Sequence, residues 1–123
     1  MKMQGEFRLM TQYGNWGYFG SVEIEVEVLS HGTGVEIMIP IEMTQWRAGI
    51  NFGICYGYEK CEHLGSPPSA IRVAVIRAEG HAVDTSELVM AFVSANALWE
   101  ALNETPTRRP SLNAAEGTFT LSK

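Results

Sequence analysis

The sequence predicts an α+β domain, a two-layer sandwich in which two helices cover one face of a mostly antiparallel sheet of four or five strands. Two patterns carry this prediction. Several segments alternate apolar with polar residues, as strands with one buried face do, and two longer segments repeat apolar residues every three or four positions, as helices do. The chain has 123 residues, which suits a single domain spanning 1–123.

The first predicted strand covers residues 5–13 and leads into a glycine-rich turn at 14–20. Three glycines in this short turn indicate backbone angles that other residues rarely adopt. The turn also carries aromatic side chains on Trp16, Tyr18 and Phe19. We therefore treat it as a candidate contact surface.

The clearest strand pattern lies at residues 21–29, where valine and isoleucine alternate with glutamate. Period two places the apolar side chains in the core and the glutamates in water, so the sheet has one covered and one solvated face. A turn at 31–34 then leads to a second alternating segment at 35–41, which we expect to pair with 21–29 as a hairpin. The glutamates on the solvated face are Glu23, Glu25 and Glu27.

A helix is predicted at residues 44–62, because apolar residues recur every four positions there. Glycines recur at the same spacing, although glycine costs up to about 1 kcal/mol inside a helix. We expect this glycine row to mark where the helix backbone lies close to the sheet. The apolar row is Trp46, Ile50, Ile54 and Tyr58, and the glycine row is Gly49, Gly53 and Gly57.

The second half of the chain predicts a strand at 71–76, a loop at 77–83, a second helix ending near residue 103 and a short last strand at 118–121. Asp84 is the expected N-cap of this helix, with Glu87 reaching back three residues later. Its expected apolar face consists of Leu88, Phe92, Ala95, Trp99 and Leu102.

Composition narrows the classes of function. The net charge is -5 and the nine basic residues are scattered, so charge alone would not hold this chain on nucleic acid. No apolar run approaches the length of a membrane span, and two cysteines make a poor disulfide framework. We expect a cytoplasmic protein with free thiols. The spacing of Cys55, Cys61 and His63 matches no zinc pattern, so neither a metal nor another cofactor is expected.

An ordered set of short motifs resembles domain IV of elongation factor G. The segment His81–Glu87, directly before a helix, is similar to the family's His-x-Val-Asp-Ser-Ser-Glu. The Gly5–Phe7 strand, the turn at 14–20 and the 30–36 turn follow the family's order. The pair Gly53–Ile54 and the turn Gly65–Pro67 continue that order at similar separations over nearly the whole chain.

The resemblance implies the fold of the second domain of small-subunit ribosomal protein five, including a left-handed βαβ crossover. Tetracycline-resistance ribosomal protection proteins carry the same domain. In elongation factor G it reaches the decoding region of the small ribosomal subunit through two loops at its tip, which match residues 14–20 and the loop of His81. This sequence has no phosphate-binding Gly-x-x-x-x-Gly-Lys-Ser/Thr loop, so we expect a stand-alone domain without GTPase activity.

Three departures from the family pattern bear on function. Aromatic residues replace the arginine usual in the first tip turn, glutamates replace lysines in the long strand, and the family's opening strand is missing or shortened. The aromatic side chains could stack on unpaired RNA bases, or they could cover the end of the sheet. The candidate contact residues are Tyr13, Asn15, Trp16, Tyr18, Phe19, Gly80 and His81.

Three functions stay open at this point. The first is a non-catalytic binding module that contacts the ribosome or ribosomal RNA through the 14–20 turn and His81. The second is a protein-interaction or self-association module that no longer binds the ribosome, which the glutamates and aromatics favour. The third is a small enzyme, for which the sequence offers no identifiable catalytic set.

Overall fold

The computed structural model describes residues 2–13, 16–40, 45–61, 64–65, 68–81, 84–104, 111–113 and 118–120. Six strands and two helices lie in these ranges. In chain order they are β1 (Lys2–Tyr13), β2 (Trp16–Val28), β3 (Val35–Met38), α1 (Arg47–Glu59), β4 (Ile71–Glu79), α2 (Glu87–Ala101), β5 (Ser111–Asn113) and β6 (Thr118–Thr120).

The main sheet has four strands in the order β1-β2-β4-β3, and both helices pack into one core with it. β2 pairs antiparallel with β1 and β4, whereas β3 pairs parallel with β4. β5 and β6 form a separate antiparallel pair. The predicted α+β sandwich is confirmed, and β3, α1 and β4 form a parallel βαβ unit.

The predicted hairpin between 21–29 and 35–41 is wrong. β4 occupies the place beside β2, and β3 lies on the far side of β4. The connection after β2 is held by β4 rather than by a tight turn, because Leu29 N–H donates to Ala70 O (2.8 Å) and Ile71 N–H donates to Gly34 O (3.0 Å). The local sequence could not show that a strand much later in the chain would enter between two neighbours.

The strand boundaries also differ from the predictions. β1 starts at Lys2, and β2 starts at Trp16, so most of the predicted 14–20 turn is strand and residues 14–15 lie outside the described ranges. β4 continues to Glu79 instead of ending at residue 76. Its register against β2 shifts between Glu23 and Ile24, which leaves Ile76 as the extra residue of a bulge.

The sheet has one dry and one solvated face, as predicted. Val22, Ile24 and Val26 are fully buried. The glutamates of β2 face water and lie beside basic residues of neighbouring strands, with Arg77 Nη2 3.5 Å from Glu23 Oε1 and Arg72 Nη1 3.2 Å from Glu27 Oε1. Exposed ion pairs of this kind contribute little to stability, so the buried face holds the fold together.

Helix α2 packs against β1 and β2 on one side and against α1 on another, so it is buried on nearly all sides. The predicted single apolar face is therefore too narrow, and Leu88 is in fact 43% exposed. The predicted cap is also wrong: Ser86 is the N-cap, and its hydroxyl accepts a hydrogen bond from Val89 N–H (3.1 Å). Glu87 instead accepts a hydrogen bond from Gly49 N–H of α1 (2.5 Å).

The glycine row of α1 faces α2, not the sheet. A Cβ atom added at Gly49 would collide with the main-chain oxygen of Glu87, and one added at Gly53 would collide with that of Ala91. The absent side chains allow the two helix backbones to touch. This close approach explains why a helix interior keeps glycines that reduce its own stability.

The Tyr58 hydroxyl joins α1 to the segment before β3 and to the segment before β4. It lies 2.8 Å from Gly34 N, 3.2 Å from Thr33 Oγ1, 3.1 Å from Ser69 O and 3.2 Å from Pro68 O. A phenol has one hydrogen to donate, which serves the two carbonyls, and it accepts from Gly34 N–H. The hydroxyl therefore holds together the entries to β3 and β4, the two parallel strands that α1 connects.

We expect Tyr58→Phe to lower the free energy of unfolding by about 2 kcal/mol, because the half-buried Gly34 N–H and the carbonyls near it lose their partner. Thermal and urea denaturation followed by circular dichroism would measure this loss. Ser69→Ala is a matched control, since it removes one hydroxyl that donates to Leu64 O within the same loop. Equal stability of Tyr58→Phe and the parent chain would contradict the role assigned to the hydroxyl.

Candidate functional site

The end of the β1–β2 hairpin meets the segment that connects β4 to α2, as the resemblance implied. Phe19 N–H donates to Asp84 O (3.0 Å). The Thr85 hydroxyl donates to Phe19 O (2.6 Å) and accepts from His81 N–H (2.7 Å). One hydroxyl thus ties the two predicted contact segments together, and we call this end of the molecule the tip.

An aromatic stack forms the surface of the tip. The rings of Phe19 and His81 are stacked with centroids 4.2 Å apart and planes 13° apart. The Arg8 guanidinium also lies over the Phe19 ring, 5.2 Å from its centroid. Phe19 is only 5% exposed, whereas His81 is exposed. The buried ring therefore supports an imidazole that is open to solvent.

A cleft of about 430 Å³ lies beside this stack. It collects residues from the end of β1, the start of β2 and the loop before α2. Gly17 borders the Asp84 carboxylate so closely that a Cβ atom there would touch it. The exposed Met10 forms part of the rim, with 71% of its surface accessible. The cleft is lined by Met10, Thr11, Gln12, Gly17, Tyr18, Phe19, His81 and Asp84.

Two of the candidate aromatic side chains are packed within the domain. The ring of Phe19 is buried and contacts His81 and Arg8, so little of it is open to an external base. Tyr18 is half-buried and packs against the hydrophobic core. For these two rings the structure favours the alternative interpretation, in which the aromatics of the tip cover the end of the sheet.

The remaining candidate residues have different outcomes. Gly80 is half-buried, and a Cβ atom there would collide with the Trp46 ring, so packing accounts for this glycine. Tyr13 and Trp16 pair with each other through the main chain at the end of the hairpin, while their side chains lie outside the described set. Asn15 lies outside the described residues, as does His63.

Two residues of the tip were not among the candidates. Thr85 lies in the segment that the sequence marks as a helix start, and its hydroxyl joins the two contact segments. No sequence motif marked Arg8 as a tip residue. It lies opposite Ser21 in the β1–β2 hairpin, and this register could have been predicted from the sequence only if the position of the hairpin turn had been known.

The described residues provide no metal site and no membrane helix. No group of three or more His, Cys, Asp or Glu in these ranges is arranged to hold a metal ion. None of the described helices has the length and apolar character needed to cross a bilayer. The described groups at the tip are a stacked pair of rings, the Asp84 carboxylate and main-chain polar groups.

Comparison with known proteins identifies the relatives of this chain. Two elongation factor G-like proteins, from strains CDC 1551 and H37Rv of Mycobacterium tuberculosis, are each 31% identical to it over 102 residues, or 80% of the chain. This chain is similar to these elongation factor G-like proteins. It spans 14% of the length of each of these two relatives. No family model matches the chain.

A solved structure has the same fold as this chain. A crystal structure of a Thermus thermophilus protein superposes with a TM-score of 0.67 at 23% identity, covering 85% of this chain and 16% of that one. The resemblance to elongation factor G, predicted from the motif order, is confirmed by the sequence comparison, and the solved structure supports the α+β fold.

Proposed function

We propose that this elongation factor G-like domain is a non-catalytic, cytoplasmic binding module that contacts the small ribosomal subunit or its RNA through the tip. One observation carries the proposal: the two segments that the family resemblance marks as contact loops meet at one end, joined by the Thr85 hydroxyl. The exposed His81 ring and the adjoining cleft supply the contact surface.

The tip would act by occupying space at its target. Its described charged side chains are few: Arg8 lies over the Phe19 ring, and Asp84 lines the cleft with the opposite charge. A net charge of -5 opposes attraction to phosphate, so affinity has to come from stacking and shape. We therefore expect binding to depend only weakly on salt, unlike binding that neutralises many phosphates.

His81→Ala is expected to weaken association with small subunits roughly tenfold, because loss of one stacking ring typically costs about 1–3 kcal/mol. Co-sedimentation of the purified chain with small subunits, at low and moderate salt, measures this change. The fold should survive, since His81 is exposed and its hydrogen bond to Thr85 uses the main chain.

His31→Ala is the matched control. His31 is also an exposed histidine, but it follows β2 and lies at the opposite end of that strand from the tip. It should leave association unchanged. If the parent chain does not associate with small subunits at low salt, the proposed ribosome contact is wrong. If the two substitutions weaken association equally, the contact does not depend on the tip.

A second candidate function is a module that binds another protein. The solvated face of the sheet favours it. The arginines there are already paired with glutamates, so they offer little free positive charge to an RNA phosphate, whereas a mixed-charge face suits a protein partner. The elongation factor G-like relationship would then account for the fold alone. Recovery of a specific protein partner, without small subunits, in a pull-down that loses it on Glu25→Lys would favour this second function.

A further inference from the structure

The outer edge of the main sheet is a long, regular strand. β1 is the terminal strand of the sheet and has 12 residues. It pairs with β2 without interruption from Lys2 opposite Glu27 to Tyr13 opposite Trp16. In the described ranges no strand pairs with its other side. Such an edge offers a row of main-chain N–H and C=O groups to another strand.

Two of the usual protections of an edge strand are absent from β1: its sequence contains no proline, and its register with β2 contains no bulge. Its charged residues, Lys2, Glu6 and Arg8, do not exclude a partner strand whose charges are complementary. β3, at the opposite edge of the sheet, has only 4 residues, which is itself a protection. The two edges of the sheet therefore differ, and β1 is the one suited to receive a further strand.

We propose that β1 pairs antiparallel with β1 of a second copy of this chain, with Phe7 opposite Phe7 of the second copy. The two four-stranded sheets would then form one continuous sheet across a two-fold axis. The same edge serves both copies, so the contact closes on itself instead of growing into a fibre.

Charge on the solvated face selects this register. With Phe7 at the axis, Glu6 lies opposite Arg8 of the second copy, and the same pair recurs on the other side of the axis. A shift of one residue toward Arg8 would place Arg8 opposite Arg8, and a shift toward Glu6 would place Glu6 opposite Glu6. Like charges directly opposite each other destabilise a strand pair, whereas opposite charges stabilise it.

The covered face fits the same register. Phe7 is half-buried and packs edge-on against Phe92 of α2, with ring centroids 6.0 Å apart. In the proposed pair the exposed part of each Phe7 ring would lie beside the other, a cross-strand aromatic contact.

The remaining pairs on the solvated face also fit this register. Gln4 would lie opposite Met10 of the second copy and Lys2 opposite Gln12, so no like charges would be opposed.

The pairing does not depend on the function proposed for the tip. β1 ends at Tyr13, close to the tip, so antiparallel strands carry the two tips to opposite ends of the joined sheet. Both tips would stay accessible. A dimer that fails to bind ribosomes would support the β1 pairing and contradict the tip proposal. A monomer that binds ribosomes would do the reverse.

Sedimentation velocity of the full chain over a range of micromolar concentrations tests the dimer. Glu6→Arg or Arg8→Glu alone should weaken the dimer roughly tenfold or more, because each change sets like charges opposite one another twice. The double change, Glu6→Arg with Arg8→Glu, should restore it. Glu36→Arg on β3 is the matched control and should leave dimerisation unchanged.

Disulfide cross-linking checks the register in case a charge variant folds poorly. In a Cys55→Ser background, chains with Gln4→Cys mixed with chains with Met10→Cys should form an intermolecular disulfide, while either chain alone should not. A monomer at every concentration, failure of the double charge variant to restore the dimer, or cross-linking of Gln4→Cys to itself would each overturn the proposal.

Discussion

Gly53→Ala is expected to destabilise this domain by about 3 kcal/mol, although the same change in an exposed helix stabilises by about 1 kcal/mol. The sign reverses because the added Cβ atom would overlap the main-chain oxygen of Ala91. A main-chain atom inside a buried helix cannot rotate away, so α1 and α2 must separate. The melting temperature should fall by roughly 10 °C.

Gly57→Ala is the matched control on the same helix. A Cβ atom there would lie 3.1 Å from Leu98 Cδ2, which the leucine side chain can relieve by moving, and 3.3 Å from Ala95 Cα, which is tight but does not overlap as at Gly53. Urea denaturation of both variants should therefore show a large loss at Gly53 and a small change at Gly57. Equal stability of the two variants would show that the helix backbones are farther apart than described.

The two thiols are expected to differ in reactivity by about three orders of magnitude at pH 8. Burial, with a smaller contribution from the Glu104 carboxylate, raises the pKa of the Cys61 thiol from 9.0 to about 12. The thiolate is the reactive form, so a shift of this size reduces its population roughly a thousandfold. Cys55 is exposed on α1 and should be alkylated by iodoacetamide at an ordinary rate.

Mass spectrometry of peptides after timed alkylation measures both rates, and alkylation in urea gives the reference in which the two cysteines react alike.

The raised pKa of Cys61 also predicts how folding stability changes with pH. Below about pH 9 the thiol is protonated in both states. As the pH rises toward 12 the unfolded chain loses this proton first, so folding stability falls. Rapid labelling of Cys61 in the folded chain would contradict its burial.

Local patterns predicted most of the elements. The alternation around Ile24 identified β2 and its buried face, and both helices were found from their apolar spacing. These features depend on neighbours within a few positions, which the sequence displays directly. The corrections concern long-range order: β4 enters between β2 and β3, and the glycine row packs on α2, since the local pattern does not specify which surface a helix meets.

The tip was predicted only in outline. The family resemblance marked two segments, the turn at 14–20 and the loop of His81, but it did not show that Phe19 is buried or that Thr85 joins them. Alternation places Phe19 on the solvated face with Arg8 and Met10, where a strand pattern alone predicts exposure. Its burial comes from His81, which lies far along the chain beyond β4. Contacts of that separation are set by the fold and leave no periodic trace in the sequence.

The burial of α2 has a consequence for synthesis of the chain. β1 and β2 leave the ribosome before α2 does, yet the apolar face they share is covered by this helix, which ends at Ala101. A two-stranded hairpin is at best marginally stable in water. The nascent chain therefore holds an uncovered apolar surface until late in translation, and the domain completes its fold as one unit once α2 has emerged.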